Sequence, residues 1–183
     1  RAIGWLERGL GVAGIGSGKV LLLLGATGTT RAVHAMLGAA RSIWRRHGGV
    51  GTGQMFGRRW AANRFRNVYL RNALWELGYA VDTMETACDW ARVTPMMHAI
   101  EQAGREALAS AGERVHAYTH LSHVYAQGSS VYSTFVFRVG PDFDSSWRRW
   151  QVLKRAVSEA IVAHGGTISH QHGVGKDHAP YLG

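Results

Sequence analysis

The sequence predicts an α+β fold, an antiparallel sheet with helices packed on one face. Three observations carry this expectation. Residues 115–125 and 130–138 form two β-type runs joined by Ala126-Gln127-Gly128-Ser129, the layout of an antiparallel hairpin. Several longer stretches repeat apolar residues at three-to-four spacing, the period of an amphipathic helix. The 183 residues, 46% of them hydrophobic, suffice for one core or two small ones.

The elements follow in order. Gly9 to Gly18 is glycine-rich and reads as a connector. Gly9-Leu-Gly11-Val-Ala-Gly14 matches a dinucleotide-binding pattern but precedes a strand instead of following one, and the phosphate-loop imitation ending at Lys19 lacks a hydroxyl at Val20. Val20 to Leu24 reads as a strand buried on both faces. Thr29 or Thr30 caps a helix with Val33, Met36, Leu37, Ala40, Ile43 and Trp44 in phase, stopped by Gly48-Gly49. A second helix is expected from Arg58 to Leu77, with Trp60, Val68, Leu74 and Leu77 inward and Gly78 as its stop.

Tyr79 to Thr86 alternates polar and apolar residues and reads as a strand. Thr94-Pro95 is a capping hydroxyl followed by proline, which predicts a helix start there. Its stripe is Met97, Ile100, Ala107, Leu108 and Ala111, and Gly112 ends it. The hairpin comes next. Asp144 or Ser145 then caps a last helix with Trp147, Trp150, Leu153, Val157, Ala160 and Ile161 inward, ended by Gly165-Gly166. Thr167 to Ser169 reads as a short final strand, giving the order β-α-α-β-α-β-β-α-β.

Composition narrows the function classes. The 21 Lys+Arg exceed the 12 Asp+Glu and leave a formal charge of +9. Eighteen of the 21 are Arg, which favours anionic partners. Nucleic acid is not expected, because no zinc-finger spacing, RNP-type motif or long basic run accompanies the charge. Low charge content (18%) with 10% aromatics argues against disorder. One cysteine excludes a disulfide framework and a four-thiolate metal site. The run from Val20 to Leu24 is far short of the roughly 20 residues that cross a bilayer. Arg1 and Gly183 read as the edges of a piece of a longer protein.

Two places carry candidate chemistry. Ser169-His170-Gln171-His172-Gly173-Val174-Gly175-Lys176 puts two histidines, two glycines and a lysine in a loop after a strand. Its glycines would let a flat cofactor or an anion approach the backbone. On the strand from Ser130 to Arg138, Val131, Phe135 and Phe137 form the apolar face, so Tyr132 projects from the other face with Ser130 and Thr134. A tyrosine so placed suits proton transfer or ligand orientation. Arg71 offers a planar fork for a phosphate or carboxylate. His116, His120 and His123 look like a metal cluster, but strand alternation puts His123 on the face opposite the other two. No metal site is expected.

Asn63-Arg64-Phe65, Tyr69-Leu70-Arg71-Asn72, Asp82-Thr83-Met84-Glu85-Thr86 with Trp90, Ser122-His123-Val124-Tyr125, Tyr132 and the 169–176 loop occur in an order that resembles the alkyldihydroxyacetonephosphate synthase family. These are FAD-linked oxidases of the vanillyl-alcohol oxidase type. The resemblance covers about residues 20 to 180 and implies that residues 1–183 are the cap, or C-terminal, domain, without the N-terminal FAD-binding domain. It implies FAD as cofactor, with the cap's sheet covering the flavin. It also implies exchange of the acyl group of acyl-dihydroxyacetone phosphate for a fatty alcohol, the flavin acting as electron sink through a covalent adduct.

By position, the resemblance makes Tyr132 the acid/base tyrosine and His170 and His172 the outer members of a three-histidine loop. Arg71, Gln171 and Lys176 become substrate-binding, and His170, Gly173 and Gly175 cofactor-binding. The middle histidine of that loop is Gln171 here, which cannot titrate. Implied partners are a phosphorylated lipid, a fatty alcohol and the FAD-binding domain. A membrane surface and a second copy stay open as partners. The implied location is cytoplasmic, at a membrane, or peroxisomal in a eukaryote, and the 183 residues alone are expected to be inactive. Two alternatives stand beside it. One is a flavin dehydrogenase of 2-hydroxy acids, whose usual Glu-His-Gly loop does not fit Ser169-His170-Gln171-His172. The other is a non-catalytic anion- or nucleic-acid-binding module.

Overall fold

A computed structural model describes residues 8, 9, 11, 12, 14, 16 and 18–182. It divides into two compact units, residues 1–67 and 68–183. In the first unit, α1 (Thr30–Arg46) opens on Thr29, whose hydroxyl accepts from the Ala32 N–H, and α2 spans Met55–Asn63. Val20–Leu24 is no strand: among the described residues no strand pairs with it, and Val20 is 92% exposed. Of the glycine-rich segment, residues 10, 13, 15 and 17 lie outside the described residues, so neither imitation motif can be followed there.

The expected helix from Arg58 to Leu77 is three pieces. After α2 the chain tightens into a 3-10 turn, Arg64–Tyr69, and then forms α3 (Leu70–Glu76). Trp60, Val68 and Leu77 are all more than half exposed, so no single inward stripe holds one helix together.

The second unit is built on the sheet β1 (Tyr79–Asp89), β2 (His116–His120) and β3 (Gly128–Arg138), ordered β1-β3-β2 and antiparallel throughout. Helices α4 (Trp90–Ala107) and α5 (Phe143–Ala163) cover one face. The predicted fold class holds. Alternation along β3 sends Val131, Phe135 and Phe137 into the core with Met96 and Ile100 of α4 and Leu153, Val157 and Ile161 of α5. Each such buried side chain contributes about 1.5–3 kcal/mol. Among the described residues no helix is long and apolar enough to cross a membrane.

Several boundaries move, each through tertiary contacts. Helix α4 begins at Trp90 and not at Thr94, leaving Pro95 inside it. Its start is held from outside: the Trp90 backbone N–H donates to Gln127 C=O (3.2 Å) and its indole N–H to Tyr125 C=O (3.1 Å). Its buried face is Val93, Met96, Ile100 and Gly104, whereas Ala111 is exposed. Asp142, not Asp144 or Ser145, caps α5 by accepting from the Ser145 N–H (2.6 Å). Trp147 is 46% exposed and stacks on Trp150 at 4.7 Å instead of entering the core.

Strand β2 stops at His120, short of the expected Tyr125. Beyond it Val124 bridges to Ser129, whereas His120 pairs with Tyr132, so Leu121–His123 oppose only Ser130 and Val131. One extra residue makes a bulge. The expected strand at Thr167–Ser169 is irregular, yet it runs along β1, with the Thr167 N–H on Ala87 C=O (3.1 Å) and the His170 N–H on Glu85 C=O (3.0 Å). A short helix α6 (Gly175–His178) follows. The described order is α-α-α-β-α-β-β-α-α.

Candidate active site

Because β1 and β3 pair with Glu85 opposite Tyr132, the face of the sheet away from the helices carries Glu85, Ala87, Ser130 and Tyr132. Glu85 is 3% exposed, a carboxylate taken out of water. Such a group is tolerated only when its oxygens are fully bonded. Here Ser122 Oγ donates a hydrogen bond to Oε1, and His170 Nδ1 lies 3.3 Å from the same oxygen. Gln171 Nε2 donates to Oε2 at 3.3 Å, and His172 Nε2 is 3.0 Å from Oε2. Three hydrogen-bonding groups, Ser122, His170 and Gln171, and the His172 ring beside Oε2 surround an ionised carboxylate that only accepts.

The loop achieves this by an uncommon turn. His172 N–H bonds the His170 carbonyl (2.8 Å) across Gln171, whose φ is +53°. A positive φ in a residue with a Cβ costs free energy that surrounding contacts must outweigh. The outcome is three consecutive side chains turned onto one carboxylate. Ser169 Oγ closes the loop on the Gly173 carbonyl (2.9 Å).

The bulge in the hairpin completes the cluster. It delivers Ser122 to Glu85, and the Ser122 and Ser130 hydroxyls sit 2.6 Å apart. It also brings His123 onto the Glu85 side, with Nδ1 3.7 Å from Oε1, which corrects the expectation that His123 points to the other face. Tyr125 stacks on the His123 ring (9° between planes), and its hydroxyl lies 3.1 Å from His170 Nε2. Burial by itself would raise the Glu85 pKa. Hydrogen bonds from Ser122, Ser130 and Gln171 and the charge of His172 outweigh it, and the carboxyl is held below its usual range.

Tyr132 stands edge-on to His172, ring centres 5.8 Å apart at 83°, and 4.9 Å from His120. Its hydroxyl has no hydrogen-bond partner among the described residues. Tyr132, His170, Gln171 and His172, singled out separately in sequence, are therefore neighbours. Arg71 and Lys176 are exposed and make no hydrogen bond or ion pair with the cluster; Gly173 (φ +72°) and Gly175 (φ +57°) have open space where a Cβ would be. Glu85, Ser122, His123, Tyr125 and Ser130 are the members that reasoning on the sequence did not select. The Glu85 signal was weak, one of three acids on a strand that mixes polar and apolar residues.

Glu85 Oε1 and the nearest nitrogens of His123 and His170 lie within 4.8 Å of one another, a donor set that could hold a metal ion. A cation there would have to displace Ser122 or His170 from an oxygen they already fill. A flat heteroaromatic cofactor fits better: the Tyr132 and His120 rings, with a phenol hydroxyl that no described residue bonds and the His172 ring edge-on beside it, form a surface that an aromatic ring system with a polar edge can cover.

Comparison with known proteins bears on that surface. Alkyldihydroxyacetonephosphate synthase of Dictyostelium discoideum is 25% identical over 162 residues, covering 88% of this chain and 26% of the relative. The Trypanosoma brucei brucei protein of the same name is 22% identical over the same share of each. The chain thus spans about a quarter of the length of these relatives. A solved structure of alkyldihydroxyacetonephosphate synthase, in crystal form P212121, shares the fold with a TM-score of 0.64 at 20% identity, covering 76% of this chain and 25% of that one. The family model for the C-terminal domain of FAD linked oxidases matches residues 7–183, and the chain belongs to that family.

Proposed function

We propose that this chain is the substrate-binding domain of a flavoenzyme that exchanges the acyl group of acyl-dihydroxyacetone phosphate for a fatty alcohol, as the names of its relatives suggest. The observation that carries this reading is the convergence of Tyr132, His172 and His170 beside one buried carboxylate on the sheet face away from the helices. Bound FAD would supply an electron sink for cleaving and forming the carbon–oxygen bond. This chain's residues would do the proton work.

Tyr132 presents a free hydroxyl in a half-buried setting, able to give and take a proton at its oxygen. The histidine loop serves the oxygens that leave and enter. Gln171 supplies a hydrogen bond but no titrating group. Arg71 and Lys176 would hold the phosphate, the arginine bidentately. His120, Tyr132, His170, Gly173 and Gly175 would contact the cofactor, whose other contacts belong to an N-terminal domain.

The test is to express the full-length parent and supply acyl-dihydroxyacetone phosphate with a labelled fatty alcohol. Labelled alkyl product with one equivalent of released fatty acid is expected. Dye reduction by lactate or glycolate without exchange would assign the chain to 2-hydroxy acid oxidation instead. A colourless, flavin-free protein would overturn both.

A further inference from the structure

We propose that Tyr125 is a second acid/base phenol of this site, the outer member of a relay Tyr125–His170–Glu85 that takes the proton of the entering alcohol. The inference deepens the proposed function and rests on it for the identity of that alcohol.

Three groups stand in line. The Tyr125 hydroxyl lies 3.1 Å from His170 Nε2, and at the other end of the ring Nδ1 lies 3.3 Å from Glu85 Oε1. Hydroxyl, imidazole and buried carboxylate in that order let an O–H pass its proton inward while its oxygen takes another, whatever fold carries them. Glu85 is buried and held ionised, so it accepts from Nδ1 and supplies no hydrogen of its own. The two phenols of the site therefore differ. Tyr132 has a hydroxyl that no described residue bonds, whereas Tyr125 is backed by a base.

Main-chain bonds aim Tyr125. Its N–H donates to Gly128 C=O (2.9 Å), and its carbonyl accepts from the Trp90 indole N–H (3.1 Å), which ties the residue to the hairpin turn and to the start of α4. The His123 ring lies within 9° of parallel to the phenol and flanks it. Tyr125 is still 46% exposed, so it is open to an oxygen arriving from outside the sheet.

The proton step balances along this line. The alcohol O–H breaks and its proton goes to the Tyr125 oxygen, as the phenol's own proton goes to His170 Nε2. The alcohol oxygen keeps the electron pair with which it bonds to the substrate carbon. The resulting imidazolium directs Nδ1–H at Glu85, which stabilises the charge while Ser122 and Gln171 hold the carboxylate in place. His170 then returns the extra proton through the phenol to water.

The full-length flavoprotein tests this. Tyr125→Phe should keep its flavin and its KM and lower the single-turnover rate of alkyl incorporation by about 30-fold or more. In mixtures of light and heavy water the wild-type rate should fall along a curve, the sign of two protons moving together. That curvature should disappear in Tyr125→Phe and persist in the residual activity of Tyr132→Phe. With nitrogen-15-labelled histidines, assigned through His170→Asn, the His170 Nε2 signal should shift in Tyr125→Phe while the His172 signals stay. A wild-type rate in Tyr125→Phe, a straight wild-type isotope plot or an unmoved Nε2 signal overturns the proposal. If Tyr125→Phe loses its flavin, Tyr132→Phe decides: a straight plot there assigns the second proton to Tyr132 and refutes the relay. Oxidation of lactate or glycolate without exchange would refute the proposed reaction instead, and the relay would then stand or fall by the same curvature in that oxidation.

Discussion

Glu85 and Tyr132 are direct cross-strand partners, one on β1 and one on β3, in an antiparallel register that runs unbroken from Tyr79↔Arg138 to Asp89↔Gly128. The register follows from burial on the other face. Sliding β3 by one residue would turn Phe135 and Val131 out of the core and carry the phenol to the helix side, and sliding β1 would do the same to Met84 and the carboxylate. Packing and site geometry are thus one constraint seen from two faces of the sheet.

Removing only the Tyr132 hydroxyl should separate chemistry from architecture. Tyr132→Phe keeps the ring between His120 and His172, so flavin content should be unchanged in the full-length enzyme while turnover falls by roughly 100-fold or more. Wild-type rates with a normal flavin spectrum would remove Tyr132 from the mechanism.

Glu85 should also appear in the acid stability of the fold. Its pKa is lower in the folded protein than the ordinary 4.5, so the folded state is favoured by the ionised form above that pH, and this contribution is lost as the pH falls below it. Melting temperature measured from pH 7 downward should decline more steeply for the wild-type full-length protein than for Glu85→Gln below about pH 4.5. Parallel curves would contradict the assignment.

Gly104 lets α4 lie close against the sheet. A Cβ there would collide with the ring of Phe135, which is fully buried and cannot swing aside. Gly104→Ala should therefore destabilise the domain by about 1–3 kcal/mol, read as a lower midpoint in denaturant with an unchanged slope. No loss of stability would mean that the helix–sheet spacing is looser than described.

Gln171 offers a gain-of-titration experiment. In Gln171→His the new ring can still donate to Glu85 Oε2, so flavin binding should persist. The pH profile of kcat/KM should acquire one further ionisation near about pH 6.5. An unaltered profile would show that the middle position of the loop does not reach the reacting groups.

What could be read directly were the features that repeat along the chain. Alternation at residues 130–138 fixed which face of β3 is apolar, and hence that Tyr132 lies opposite the helices with Ser130. Glycine at 48 and 165 marked helix ends, each with positive φ, whereas α4 stops at Ala107 and Gly112 ends a separate 3-10 turn, Ala109–Ala111. The hairpin and the α+β class followed from turn residues and period. The failures share a cause. Val20–Leu24 has the composition of a buried strand but no strand partner among the described residues, and Thr94-Pro95 has the local signal of a helix start that Gln127 and Tyr125 pre-empt by holding the chain at Trp90.

The sequence by itself determined the fold class, the family, and which short stretches carry titratable side chains, because these depend on local period and residue type. Only the tertiary structure decided that Glu85 is the centre of the cluster. Its ligands come from residues 122, 130 and 170–172, more than thirty positions away, and a one-residue bulge reverses the face on which His123 falls. Alternation cannot foresee an inserted residue, and a buried charge is recognised only by the donors that chain folding gathers around it.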